Sequence, residues 1–136
     1  MTETTTDVAT AADAYLASLG ETDATRRREL IERAWTPDGH FVDPLYEAEG
    51  HDALAELAAG VIAHYPGHMF RRTSGLDTHH DVLRFSWEMA GPDGEIVVTG
   101  SDVGRLAPDG RLQEITGFFG DVPPLDGSAG GVGDGG

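Results

Sequence analysis

Three polar side chains stand among residues that would give them little water. Asp102 lies in a strand-like run with Val98, Val103 and Leu106, where an acid must find a hydrogen-bonding partner or change its proton affinity. A one-residue bulge would instead turn it to solvent. Tyr15 shares a helical stripe with Val8, Ala12 and Leu19, where an aromatic either fills the core or presents a hydroxyl donor. Asp43 precedes Pro44 after a short strand, a place that suits a turn former as well as a proton-accepting carboxylate. The six histidines offer less. His64 and His68 have the four-residue spacing of a helical metal pair, but Pro66-Gly67 between them breaks the shared face. His79-His80 enters a strand with side chains on opposite faces and reads as solvated. His40, three residues before Asp43, is an outside candidate for proton transfer at a pocket mouth. No metal site is expected.

Missing residue types restrict the chemistry further. The chain contains no cysteine, so thiol nucleophiles, disulfides and thiolate metal sites are excluded. It contains no lysine, which excludes a Schiff base and a Walker-type phosphate loop. No cofactor is called for. A net charge of −15 on 136 residues sets up a field that repels polyanions, so neither nucleic acid nor an anionic membrane is an expected partner. No apolar run reaches the roughly 18 residues of a membrane helix, and the acidic, Thr-rich start is unlike a signal peptide. A cytoplasmic location follows as the expectation.

The elements that would position these residues come in two blocks. Helical periodicity predicts a first helix ending at Gly20. A second runs from about Ala24 to Trp35, capped by Thr22 or Asp23 and stopped by Thr36-Pro-Asp-Gly39. A third spans about Asp52 to Tyr65, with Leu54, Leu57, Ala58, Val61, Ile62 and Tyr65 facing inward. A short strand near His40–Asp43 precedes the third helix. From His68 the period becomes that of strands, and turn signals at Gly75–Thr78, Pro92-Asp-Gly94 and Pro108-Asp-Gly110 divide a four-stranded meander: 69–74, 80–90, 95–106 and 111–119. In the second of these Leu83, Phe85 and Trp87 alternate with Arg84, Ser86 and Glu88, so one face is apolar. The result is one α+β domain over residues 8–125, a cone-shaped, curved mixed or antiparallel sheet packed on three N-terminal helices and enclosing a pocket. Residues 1–7 and the Gly-rich stretch 126–136 are expected to be disordered.

Helix, helix, a short strand ending in Phe41-Val-Asp-Pro44, helix, and a meander closing on Ile115-Thr-Gly-Phe-Phe-Gly120 make a recognisable order. Together with Gly50 before the third helix and Gly100-Ser-Asp102, it resembles the nuclear transport factor 2-like superfamily. The branch resembled is that of ketosteroid isomerases and SnoaL-like polyketide cyclases, over about Val8–Asp121. The resemblance implies Asp43 as general base, Tyr15 as donor to a developing oxyanion and Asp102 as a second, protonated donor. It implies Trp35, Phe85, Trp87, Ile115 and Phe119 as pocket walls. Ala58 aligns where the isomerases carry a second tyrosine, so the chain of tyrosines is incomplete, and Trp35 offers only an N–H.

Enolisation beside a carbonyl needs a base on carbon and a donor on oxygen in a site that excludes water, which these residue types supply. The expected function is therefore cofactor-free acid–base isomerisation or cyclisation of a small hydrophobic carbonyl compound. The alternatives are a non-catalytic small-molecule-binding or dimerisation module of the same fold, and epoxide-hydrolase-like activation of water. The last would need an arginine between two aspartates; Arg84 and Arg105 read outward, leaving Arg71 or Arg72. A homodimer is expected through the outer sheet face, where Arg84, Ser86, Glu88, Thr99, Ser101, Val103, Thr116 and Phe118 lie. If Asp102 sits charged among apolar groups, Asp102→Leu should stabilise the fold at neutral pH.

Overall fold

A computed structural model describes residues 7–125 of the chain. The expectations for residues 1–6 and 126–136 lie outside the described residues. Asp7 lies within them, as the N-cap of the first helix, its carboxylate accepting from the Ala9 N–H at 3.3 Å.

Helix α1 (Val8–Ser18) buries Ala11, Ala12, Tyr15 and Leu16, three of them small enough or apolar enough to let the helix lie close on the sheet. Helix α2 (Ala24–Ala34) starts at Asp23, whose side chain accepts from the Thr25 N–H at 3.1 Å. It buries Leu30, Ile31 and Ala34. Helix α3 (His51–His64) buries Leu54, Ala58 and Val61, with Leu57, Ile62 and Tyr65 only half-buried, a narrower inward face than its periodicity predicts.

The sheet has seven strands: β1 (Trp35–Val42), β2 (Glu47–Glu49), β3 (Met69–Arg72), β4 (Asp77–His79), β5 (Val82–Ala90), β6 (Ile96–Leu106) and β7 (Leu112–Phe119). Their order is β2-β1-β7-β6-β5-β3, with β4 also pairing β5. All neighbours are antiparallel except β1 and β7, which run parallel. The meander is as expected, and three departures have local causes. Trp35 is extended (φ −118°, ψ 146°), so α2 stops at Ala34 and the strand begins at once. The Thr36-Pro-Asp-Gly39 signal marks an irregularity inside β1, where the register against β7 jumps between Trp35 and His40. Gly75–Thr78 is only partly a turn: Asp77–His79 pairs with β5, and the reversal falls at His80, in the left-handed region at φ 54°.

The inward faces of β5, β6 and β7 close over the helices. On β5 these positions are Leu83, Phe85, Trp87 and Met89, all buried. On β6 and β7 they include glycines. A Cβ at Gly100 would overlap the Trp87 ring, and one at Gly117 would lie 3.0 Å from Asp102 Oδ1 and 3.2 Å from Asp43 Cβ. The space at Gly100 is taken by the Trp87 ring, and Gly117 leaves room beside Asp102 and Asp43 in the hollow where the polar groups meet. Among the described residues, no helix is long and apolar enough to cross a membrane.

Candidate active site

Asp102 is 1% exposed, on the concave face of β6 and opposite Gly117 of β7. Strand alternation points it inward while Ser101 and Val103 point out; no bulge intervenes at this position. Its carboxylate accepts two hydrogen bonds. Tyr15 donates its hydroxyl to Oδ2 at 2.8 Å, and Trp87 donates its indole N–H to Oδ1 at 3.0 Å. Burial pushes the Asp102 carboxyl up to about 6, against these two bonds, which favour the charged form; the nearby Asp43 charge adds to the rise. Burial, followed by the Asp102 charge, holds the Tyr15 hydroxyl well above its ordinary range, so it remains a donor.

Asp43 follows β1. Its Oδ1 accepts from the Leu45 and Tyr46 N–H groups, each at 2.8 Å, and its own N–H donates to the Tyr46 carbonyl at 2.9 Å. The residue is thus a turn former and at the same time lines the cavity with Tyr15 and Asp102. The hollow measures about 70 Å³ and takes its apolar lining from α1, α3 and strands β1, β3, β5, β6 and β7, with Leu45 and Tyr46 of the Asp43 turn beside it.

Of the sequence-predicted residues, Tyr15, Asp43, Asp102, Trp87 and Phe119 line this cavity. Trp35, Phe85, Ile115 and Ala58 do not: each is at most 3% exposed and packs in the core. Trp35 meets the Tyr15 ring edge-on, with centroids 5.6 Å apart, and so supports the tyrosine from behind. His40 turns to Glu47 across the β1–β2 hairpin, 2.7 Å away, and is not part of the lining. Phe41, Tyr46, Phe70, Met89 and Val98 also line the cavity without having been expected as wall residues, and Val61 and Tyr65, expected on the inward face of the third helix, line it as well. Tyr65 and Phe70 flank the Pro66-Gly67 break, whose geometry decides where they point.

No arginine lines the cavity. Arg71 pairs with Glu88 at 2.6 Å and Arg72 with Asp13 at 2.7 Å, both toward solvent, so an Asp–Arg–Asp set for activating water is not assembled there. No group of three or more metal-ligating side chains occurs among the described residues.

Three helices packed on a curved, mixed sheet of seven strands are the α+β cone of the nuclear transport factor 2-like superfamily. A SnoaL-like family protein from Agrobacterium tumefaciens C58 is 36% identical over 83% of this chain and 97% of its own, with a TM-score of 0.77. The chain belongs to the SnoaL-like family of that superfamily. Two further structures share the fold. A nuclear transport factor 2-like protein from Exiguobacterium sp. 255-15 is 21% identical over 82% of this chain and 99% of its own, TM-score 0.65. A protein of ketosteroid isomerase-like fold from Catenulispora acidiphila, solved with trimethylamine, is 15% identical over 83% of this chain and 85% of its own, TM-score 0.62. No family sequence model and no curated protein sequence matches the chain.

Proposed function

We propose that the protein catalyses cofactor-free proton transfer on a small, enolisable carbonyl compound, as an isomerase or cyclase. The observation that carries this reading is the meeting of Tyr15, Asp102 and Asp43 in one small apolar-walled cavity. The two acids have different surroundings. Asp43 is half-buried and accepts two backbone N–H bonds, which suit a carboxylate; Asp102 is buried and its proton affinity is raised, which suits an acid. An apolar substrate in the cavity would displace water and raise Asp102 further.

In the forward step Asp43 takes the proton from the carbon beside the carbonyl. The C–H electron pair forms the new carbon–carbon double bond, and the carbonyl π pair moves to oxygen. Tyr15 and protonated Asp102 stabilise that oxygen by hydrogen bonds. With a β,γ-unsaturated substrate, returning the proton from Asp43 to the γ-carbon of the conjugated enolate completes an isomerisation; attack of the enolate carbon on a second carbonyl of the same molecule, whose π pair moves to its oxygen and takes the proton from Asp43, completes a cyclisation. The volume of about 70 Å³ compares with roughly 300–1,000 Å³ for drug-sized ligands. The substrate is accordingly small, and a steroid nucleus does not fit this cavity.

The test is deuterium incorporation at the α-carbons of butanone and cyclopentanone in D₂O, followed by NMR. The wild-type protein should exchange them faster than buffer and faster than the unfolded protein. Rates equal to both controls across the pair would reject the catalytic reading.

A second reading, a non-catalytic small-molecule-binding module, is favoured by one detail: both oxygens of Asp102 are already satisfied within the protein. Binding of either ketone without exchange would select it.

The same fold is proposed to pair with a second copy through its outer sheet face. Phe118 is 55% and Val103 39% exposed there, with Val103 opposite Arg84 across β5 and β6. Arg84 is paired with Asp77 and Glu88 with Arg71, so exposed apolar surface bordered by internally neutralised charges is what a second copy would cover. Sedimentation equilibrium at micromolar concentration should give a dimer, converted by Phe118→Glu to a monomer. A wild-type protein that sediments only as 14.4 kDa would reject the dimer.

A further inference from the structure

Asp102 accepts from two buried donors, and one of them, Trp87, reaches it from the neighbouring strand. Trp87 pairs with Gly100 across β5 and β6, and the absence of a side chain at Gly100 lets the indole lie across β6. Its N–H then reaches Asp102, two residues along, at 3.0 Å. Phe70 and Phe119 pack against the indole, with ring centroids 5.6 and 6.1 Å away, and hold its orientation.

We infer that Trp87 is a positioning residue: its indole N–H fixes the Asp102 carboxyl by Oδ1, so that Oδ2 is the oxygen turned to Tyr15 and the one that carries the proton offered to the substrate oxygen. This rests on the acid–base reading of the site. An indole N–H donates only and does not titrate, so it orients the carboxyl without competing for the proton. A tyrosine in the same place would be able to do both. Trp35 plays no such part, since its ring supports Tyr15 by an edge contact.

The groups facing Asp102 are few. Tyr15 comes from α1, Asp43 from the end of β1, Trp87 from β5, and β7 presents Gly117; only Tyr15 and Asp43 among these titrate. Removal of the indole bond takes away support for the charged form, so proton affinity at Asp102 should rise.

The test uses the full-length wild-type protein and Trp87→Phe, which keeps an aromatic ring and deletes the donor. In the wild type, the indole N–H resonance of Trp87 should titrate with the same midpoint as the Asp102 carboxyl carbon, while that of Trp35 should not follow it. In Trp87→Phe the Asp102 midpoint should move upward by about one to two units, and the acidic limb of the ketone-exchange profile should move with it. A wild-type Trp87 N–H that ignores the Asp102 titration overturns the assignment even if the variant does not fold. An unshifted Asp102 midpoint in folded Trp87→Phe overturns it too. Neither NMR readout needs turnover: absent exchange with coupled titration rejects the catalytic reading and leaves the indole's hold on Asp102 standing.

Discussion

Asp43→Asn and Asp102→Asn are each expected to slow ketone α-proton exchange by roughly 10²–10⁴-fold, the usual contribution of a positioned acid or base. The two should differ in how stability responds to pH. Asp102 is raised from 3.8 to about 6 in the folded protein. Between those values the folded state holds a proton that the unfolded state has lost, so the Asp102 contribution is fully present below about pH 4 and declines as pH rises through 6. The whole loss amounts to about 3 kcal/mol for a shift from 3.8 to about 6. Asp102→Asn does not ionise and should lack this decline. Denaturant midpoints of wild type and Asp102→Asn compared at pH 4 and pH 7 measure it, and parallel behaviour of the two proteins would contradict the burial argument.

The structure revises the expectation for Asp102→Leu. Removing the charge relieves the desolvation, but it also leaves the Tyr15 hydroxyl and the Trp87 N–H without their acceptor. Each orphaned donor costs about 1–3 kcal/mol when buried. The two effects are comparable in size, so leucine should give no clear gain at neutral pH.

Trp35→Ala is expected to destabilise the protein by about 3–5 kcal/mol, as loss of a large core aromatic does. The ring is 1% exposed and fills the corner where α2 becomes β1. A Cβ at Gly39 would overlap it, so the irregularity in β1 is folded around the indole. Its carbonyl accepts from Arg111 at 3.1 Å and has a His51 ring nitrogen 3.0 Å away, tying β1 to the start of β7 and to α3. Tyr15 leans on its ring edge, so the same substitution should weaken the Tyr15–Asp102 pair. Urea denaturation monitored by far-UV circular dichroism measures the loss. A change below about 1 kcal/mol would mean that the corner collapses without cavity formation.

The residues that carry strong periodicity were legible in advance. The alternation Leu83, Phe85, Trp87 gave the inner face of β5, and the acid at position 102 stood out because its neighbours on the strand are apolar. Tyr15 was placed by the spacing of its helix. Parity could not separate a wall residue from a core residue, because Trp35, Phe85 and Trp87 all face inward and only the curvature of the sheet decides which of them reaches the hollow. The partner of Trp87 was hidden for a related reason. Its reach to Asp102 depends on an empty space at Gly100 on another strand, a three-dimensional fact that no local pattern carries. The Thr36–Gly39 signal was read as a stop, since Pro-Asp-Gly has the same appearance in a turn and in an irregular strand.

The parallel pairing of β1 with β7 governs when the site can form as well as where it lies. Phe41 is matched with Ile115, and Tyr15 reaches Asp102 across 87 residues of chain. A ribosome has therefore to release nearly all of the domain before the first helix can meet its acid, and the α1–α2 segment emerges with its apolar stripe uncovered. Long-range pairing of this kind slows folding, because the entropy of closing a large loop must be lost before the contacts that reward it are made. Local hairpins, β5 with β6 and β6 with β7, are available earlier and offer a platform onto which the N-terminal third docks. The polar centre requires both that platform and the docked N-terminal third, and wherever β1 is undocked the sheet has an open edge at β7 to which another chain can add.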